Sequence, residues 1–277
     1  MKEILKEDIK ILKRNPEGHK GSFGRLLIIA GSENYPGAAA LSTLAAMRSG
    51  VGLTTLLTEN RVIDRIFPLI PEAVLCSMDK FSSALLEKEL MKSTAVVLGP
   101  GLGRKKGKLI KYVLKNYKGP LVLDADGINA ITPDILKLKK GGIVLTPHEG
   151  EFSRLTGKPI AEISKNREKE AVSFSQKYGV HLILKGKGTI VSDPEGNAFI
   201  NTTGGSSLAK GGSGDVLSGI LGSFLAMGDD ILAASKKAVF IHGLSGDIAA
   251  EEKGEHSVLA RDVIAALPKA ILALSEK

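Results

Sequence analysis

The chain predicts an α/β fold: a mostly parallel, doubly wound sheet with helices on both faces and antiparallel edge strands. Three observations predict it. Short, nearly continuous apolar runs recur, as at residues 25–30 (RLLIIA), 95–98 (AVVL), 121–123 (LVL) and 143–145 (IVL). A strand with one wet face alternates apolar with polar residues, whereas an unbroken run suits a strand covered on both faces. Longer stretches with helical spacing lie between these runs, and strand–helix alternation argues for a parallel sheet. Finally, the runs 181–185, 189–192 and 197–201 follow one another closely, with the turn signal Asp193-Pro194-Glu195-Gly196 between the last two. They read as an antiparallel edge.

In order, residues 1–20 form a polar N-terminal segment with one short helix. Strand 25–30 leads to an Ala-rich helix at 37–50. Strand 53–57 is followed by a short helix at 61–67. A helix at 82–91 precedes strand 95–98, and another at 108–116 precedes strand 121–123. Strand 143–145 leads towards a long helix from about 163 to 178. After the three edge runs, helices at 215–227, 231–250 and 260–274 close the chain. There is no linker, repeat or low-complexity stretch, so residues 1–277 read as a single domain.

Composition bounds the function. Hydrophobic content is 43% and charged content 25%, as in soluble globular proteins. Aromatics are only 4% and Trp is absent, so the core is aliphatic. The single Cys76 excludes an internal disulfide framework and suits a reducing compartment. It is expected to be a buried or half-buried small residue, without a nucleophile's surroundings. The net charge of +8 suits anionic small molecules. Lysines such as those at 105–108 and 137–140 read as solvated helix faces. With no basic stripe bearing interleaved aromatics, nucleic acid is not an expected partner. The N-terminus has no apolar signal core and no run is long enough to span a bilayer. A cytoplasmic protein with no membrane contact is expected.

The most informative segment is Ala209-Lys210-Gly211-Gly212-Ser213-Gly214-Asp215-Val216-Leu217-Ser218-Gly219. A glycine-rich turn feeding a helix start points several backbone N–H groups one way, at the positive end of the helix dipole. Phosphate is the usual anion at such a site. A carboxylate there repels phosphate, so Asp215 reads as a general base beside a hydroxyl that attacks a phosphoryl group. The alternative is a plain N-cap.

Other turns follow predicted strands, and in open α/β sheets ligands bind outside the strands' carboxyl ends. These are Ala30-Gly31-Ser32 with Gly37-Ala38-Ala39 opening the next helix, Gly99-Pro100-Gly101-Leu102-Gly103, Asp124-Ala125-Asp126-Gly127 and Thr146-Pro147-His148-Glu149-Gly150-Glu151. Together they line one crevice. The G-x-G-x-G spacing at 99–103 is not the dinucleotide fingerprint, and no P-loop is present. His148 suits a hydrogen bond to a ligand amide or phosphate, and Glu151 suits a metal-bound water near phosphates. Alternatively, Glu149 and Glu151 merely complement a helix N-terminus. Lys185, Gly186, Lys187, Gly188 and Thr189 join two strands, either as a phosphate-holding loop or as a plain hairpin turn.

Taken in order, these motifs resemble the ADP/ATP-dependent NAD(P)H-hydrate dehydratases of the ribokinase-like superfamily. The resemblance runs from Lys20-Gly21-Ser22-Phe23-Gly24 to the last helix. It includes Tyr35-Pro36-Gly37-Ala38-Ala39, Arg48-Ser49-Gly50-Val51-Gly52 and Leu123-Asp124-Ala125-Asp126-Gly127-Ile128-Asn129. It is most specific in the Ala-Lys-Gly-Gly lead-in to Asp215 and in the His after Thr146-Pro147. It implies a ribokinase-like three-layer sandwich. Relatives often carry an N-terminal epimerase domain, for which this chain lacks the length, so a stand-alone dehydratase is expected.

The implied substrate is the S-epimer of hydrated NADH or NADPH, with ADP or ATP as co-substrate and Mg²⁺ bridging phosphates. Asp215 would take the hydroxyl proton, with Gly212 and Gly214 in the amide cradle. Gly37, Ala38, Ala39, Gly103, His148 and Asp215 would touch the hydrated cofactor. Lys185 to Thr189, Gly211 and Gly214 would touch the nucleotide. Glu151 would reach the metal through water. A homo-oligomer of tetramer type is implied, for which the apolar residues of 231–248 are available. One departure is Thr203-Gly204-Gly205-Ser206-Ser207, where relatives often have a Gly-Asn-Pro-like turn. Two competing readings are a small-alcohol kinase on the same fold, against which Thr-Pro-His argues, and a non-catalytic nucleotide sensor, which would not need Asp215.

Overall fold

The computed structural model describes residues 1–11, 13–103, 106–139 and 142–275. Among these residues the strands are β1 (Lys2–Glu3), β2 (Arg25–Ile29), β3 (Leu53–Thr58), β4 (Val74–Ser77), β5 (Ala95–Leu98), β6 (Leu121–Leu123), β7 (Ile143–Leu145), β8 (His181–Leu184), β9 (Thr189–Ser192) and β10 (Ala198–Asn201). They form one sheet in the order β1-β10-β9-β8-β7-β6-β5-β2-β3-β4. Every neighbouring pair from β4 to β8 is parallel. The β8–β9 and β9–β10 pairs are antiparallel, as expected of the edge.

The helices are α1 (Pro36–Arg48), α2 (Asn60–Ile66), α3 (Ser83–Lys92), α4 (Gly107–Asn116), α5 (Asp126–Asn129), α6 (Glu149–Thr156), α7 (Ile160–Lys165), α8 (Arg167–Tyr178), α9 (Ser213–Ala226), α10 (Ile231–Lys253) and α11 (Ala260–Leu274). Strand side chains alternate between two cores, because successive residues of a strand point to opposite faces. Leu26, Ile28, Leu56, Val97, Val122 and Val144 pack with α1, α2, α9, α10 and α11. Leu27, Ile29, Leu57, Leu98, Leu123 and Leu145 pack with α3, α4, α6 and α8. The result is the three-layer sandwich expected. Helix α9 is buried along almost its whole length. A Cβ at Gly219 would lie 2.2 Å from the Ser42 carbonyl oxygen, so α1 and α9 touch backbone to backbone there.

The chain steps from β2 outward to β3 and β4, then returns to β5 on the other side and proceeds to β8. This reversal leaves a crevice at the carboxyl ends of the central strands. The turns after β2, β5, β6 and β7 all open there.

Several elements differ from expectation. β4 was not foreseen: its VLCS run is a half-exposed edge, lacking the burial that makes central strands continuously apolar. Cys76 within it is half-buried. The N-terminal segment is less polar in its packing than its composition suggests, since Ile4 and Ile9 enter the core and β1 pairs with β10. Its helical parts are short 3-10 turns at Lys6–Asp8 and Lys20–Phe23. The expected long helix at 163–178 is two, α7 and α8, broken where Asn166 takes φ −132°. The break brings Arg167 to the β8–β9 turn, where its Nη atoms donate to the carbonyls of Leu184, Lys187 and Gly188. Helix α9 begins two residues early, at Ser213. Along α10, Ala234, Ala238, Val239 and Ile241 are buried in the core, while Ile231, Leu232, Leu244 and Ile248 are only partly buried against it. Lys137 is exposed, as expected of a solvated face. Lys139 is not such a residue: it is half-buried, donates to the Gly119 carbonyl, and burial pulls its pKa down to about 8. Lys105 and Lys140 lie outside the described residues.

Candidate active site

The site is built on the first turn of α9. Gly212 takes φ +92°, a conformation that favours glycine, and turns the chain into the helix. The amides of Gly214 and Asp215 fall in the first turn, where no preceding helical carbonyl exists to accept them. A cavity of about 870 Å³ opens beside this turn. Its walls include His148, Lys185, Gly186, Lys187, Gly188, Thr189, Gly211 and Gly214. The loop Thr203, Gly204, Gly205 and Ser206 forms another part of the wall. Thr203 is tied down by its hydroxyl to the Phe240 carbonyl at 3.0 Å, and the Gly204 N–H donates to Asp247 at 2.9 Å.

Asp215 is the third residue of α9 and is partly buried. Its pKa is pushed up to about 7, first by burial, then by the nearby charge of Asp124. Lys185 opposes this, while Asp126 and Glu151 reinforce it. No described residue donates a hydrogen bond to this carboxylate. Such a group is poised to take a proton near neutral pH.

Lys185 follows β8. Its Nζ donates to Asp124 Oδ1 at 3.1 Å and lies 3.8 Å from Glu151 Oε2. It also crowds Gly214, where a Cβ would sit 3.2 Å from Nζ. Burial pulls the lysine's pKa down, but Asp124, Glu151 and Asp215 together outweigh it and raise it. The ammonium therefore stays charged at the wall of the cavity.

His148 is the N-cap of α6. Its Nδ1 accepts from the amides of Gly150 (3.0 Å) and Glu151 (3.4 Å), while Glu151 Oε2 accepts from the His148 N–H at 3.0 Å. This reciprocal cap realises the helix-complementing alternative for Glu151. It also leaves the His148 ring exposed at the cavity wall. With Nδ1 accepting, Nε2 is the remaining ring nitrogen, and it lies 3.6 Å from Glu151 Oε1.

A second group of turns lies outside the residues that line this cavity. The Gly103 N–H donates to Asp126 Oδ2 at 2.8 Å. The Ser32 hydroxyl donates to the Gly101 carbonyl at 2.8 Å, and Gly101 packs against Ala38. Gly37 faces open space, whereas Ala39 is wholly buried and packs towards Gly31. Expected nucleotide residues thus gather on the cavity side. Of the expected cofactor residues, His148 stands with them on the cavity wall, whereas Gly37, Ala38, Ala39, Gly103 and Asp215 are not among its lining residues.

Sequence reasoning missed two groups here. His242 lines the cavity from α10, with Nε2 3.2 Å from the Ser213 hydroxyl. Burial first, and the Lys185 charge second, lower its pKa to about 4, so it is neutral at physiological pH. Nothing in the sequence distinguishes it from a histidine packed in a core helix. Asp124 is the other. It was visible at the end of a strand, but the partners that define it lie far away in sequence.

The sequence profile of the NAD(P)H-hydrate dehydratase family matches residues 26–269. A bifunctional NAD(P)H-hydrate repair enzyme of Thermofilum pendens is 34% identical across 100% of this chain, which spans 55% of that protein. An ADP-dependent (S)-NAD(P)H-hydrate dehydratase of Bacillus subtilis is 37% identical over 83% of each chain. Among solved structures, the ADP/ATP-dependent NAD(P)H-hydrate dehydratase of Bacillus subtilis, co-crystallised with ATP and Mg²⁺, superposes with a TM-score of 0.88. That match has 31% identity and covers 99% of this chain and 98% of the other. Ribokinase of Arabidopsis thaliana shares the fold alone, at a TM-score of 0.58 and 13% identity, covering 88% of this chain and 98% of its own.

Proposed function

The chain belongs to the NAD(P)H-hydrate dehydratase family, and from that premise we propose that it restores NADH or NADPH from the (S)-hydrated form, using ADP or ATP to drive off water. The hydroxyl on the reduced nicotinamide ring attacks the terminal phosphoryl group of the nucleotide. Its proton goes to Asp215 as the bridging P–O bond breaks, releasing AMP from ADP or ADP from ATP. Amides of the α9 turn, with Gly212 and Gly214 in the cradle, stabilise charge on the transferring group. Phosphate then leaves the ring far more readily than hydroxide would. A ring proton is lost and the double bond returns.

The observation that carries this reading is the carboxylate of Asp215, with its raised pKa, one residue from Gly214 on the cavity wall. In the same reading Lys185, Gly186, Lys187, Gly188, Thr189, Gly211 and Gly214 hold the nucleotide. Gly37, Ala38, Gly103 and His148 meet the hydrated cofactor, and the buried Ala39 supports them from behind. Mg²⁺ would neutralise the phosphates. Among the described residues no group of three or more His, Cys, Asp or Glu is arranged to cage an ion. The cation would therefore ride on the phosphates. Glu151, 5% exposed, with Oε2 held by the His148 N–H and Lys185 Nζ 3.8 Å away, is not part of the cavity wall and does not fit the expected role of reaching it through water.

Homo-oligomerisation and a cytoplasmic setting belong to the same reading. The lone unpaired cysteine supports the second, and light scattering on a sizing column tests the first. No helix among the described residues is long and apolar enough to cross a membrane.

The deciding assay incubates the full chain with hydrated NADH, Mg²⁺ and ADP or ATP, and follows the return of the NADH absorbance. Nucleotide-dependent recovery with stoichiometric inorganic phosphate is expected, and the faster of the two nucleotides identifies the co-substrate. Absence of recovery with both would overturn the proposal. Accumulation of a stable phosphate ester from a small alcohol would replace it with a kinase.

A further inference from the structure

We infer that Asp124 is a positioning residue, which ties Lys185 and helix α9 together beneath the site and so fixes where Asp215 stands. The inference rests on the phosphoryl-transfer reading above, but it has a readout of its own.

Asp124 is 1% exposed, so it has no direct route to a ligand, whereas Asp215 is only partly buried. Both of its oxygens are engaged. Oδ1 accepts from the Thr146 hydroxyl at 2.6 Å and from Lys185 Nζ at 3.1 Å. Oδ2 accepts from the Ser218 hydroxyl at 2.7 Å. These donors come from three different places: the residue after β7, the residue after β8, and α9. Ser218 lies three residues beyond Asp215, so it sits one turn along the same side of the helix. One buried carboxylate thus clamps the helix that bears the base to the ends of three parallel strands.

The local backbone is shaped for this. Ala125 has φ +48°, the only non-glycine residue with positive φ among those described. The strained turn sends Asp124 inward under α9, while Asp126 accepts from the Gly103 amide. A strained residue between two acids with opposite destinations is hard to explain as packing alone. Charge points the same way. The groups that face Asp215 are Asp124 at the end of β6, Asp126 on α5, Glu151 on α6 and Lys185 after β8. Among these charges Asp124 does most to keep Asp215 protonatable near neutrality. Its removal also frees the Lys185 ammonium to turn towards Asp215, and both effects favour the ionised base.

The test uses the full chain carrying Asp124→Asn or Asp124→Glu. Asp215 is titrated by carboxyl ¹³C NMR without substrate, and kcat and ADP affinity are measured alongside. In Asp124→Asn the titration midpoint of Asp215 is expected to move to lower pH, with kcat down roughly tenfold or more as base and phosphoryl group lose register. Asp124→Glu keeps the charge but shifts the clamp by a methylene group, so kcat falls while the midpoint stays near that of the unaltered protein. An unmoved midpoint together with unchanged kcat in Asp124→Asn would overturn the inference. If that variant fails to fold, Ser218→Ala decides: lower kcat at undiminished ADP affinity supports the clamp, and unchanged kcat overturns it. Failure of the unaltered protein to restore hydrated NADH would sink the dehydratase reading instead, leaving the titration to judge Asp124 by itself.

Discussion

Two aspartates meet under the same helix and live opposite lives. Asp124, at the end of β6, has three donors and is sealed from water. Asp215, on the first turn of α9, has no donor among the described residues and is partly open. A carboxylate with both oxygens engaged by donors from several elements holds those elements in place. One that is buried, unsatisfied and near other acids has its pKa raised and becomes a base. The contrast teaches that the acid marked by the glycine-rich motif is also the one the fold leaves unpaired. Here the fold has spent its donors on the residue that does not react.

The contrast can be broken most directly at Asp215. Asp215→Asn should lower dehydration turnover by about 10²-fold or more, with ADP affinity by calorimetry retained. Near-normal turnover would mean that the unsatisfied carboxylate is not the base. Removing the cation between the two acids comes next. Lys185→Met leaves Asp124 with only hydroxyl donors, and losing one partner of a buried pair should cost about 3 kcal/mol in urea unfolding, the low end for such pairs because Lys185 is partly open. ADP binding should weaken as well. Stability unchanged within error would show that Asp124 is satisfied without Lys185.

A smaller effect sharpens the comparison through pH. The folded-state pKa of Asp215, about 7, lies above that of an unfolded aspartate. The folded protein therefore binds more protons than the unfolded one between roughly pH 4 and 7. Stability from this residue is present at the acid end and is lost as pH rises through 7. Asp215→Asn lacks that loss. It should be more stable than the unaltered protein at pH 8, on the order of 1 kcal/mol after allowance for solvent screening, and should show no such gain at pH 4. Equal melting-temperature differences at both pH values would contradict the raised pKa. The smallest effect belongs to the rim: His148→Ala removes the side-chain cap of α6 and should cost about 0.5–1 kcal/mol in thermal unfolding.

Central strands were legible because burial on both faces leaves a local trace. The runs 95–98, 121–123 and 143–145 are strands with those same limits. Edge strands leave no such trace: β4 is half-wet and β1 has only two residues, so neither needs a continuous apolar run. The break at Asn166 was hidden because it lies in a polar stretch with neither Gly nor Pro, and its value appears only when Arg167 reaches the β8–β9 turn. Within the site, the glycine-rich turn, Asp215 and the loop from Lys185 to Thr189 could be marked from local pattern. The pairing of Asp124 with Lys185 spans 61 positions, and that with Ser218 spans 94. No window along the chain contains either.

By itself the sequence determined the layered α/β plan, the position of the phosphate-type turn and the acid within it, since backbone N–H direction and strand burial are written in neighbouring residues. Only the tertiary structure decided which partners each acid would have, leaving Asp215 unpaired and Asp124 clamped. That choice depends on where strand ends and α9 come together, and on which carboxylate the available hydroxyls and the lysine can reach. Such distances arise from packing, and a linear order of residues does not contain them.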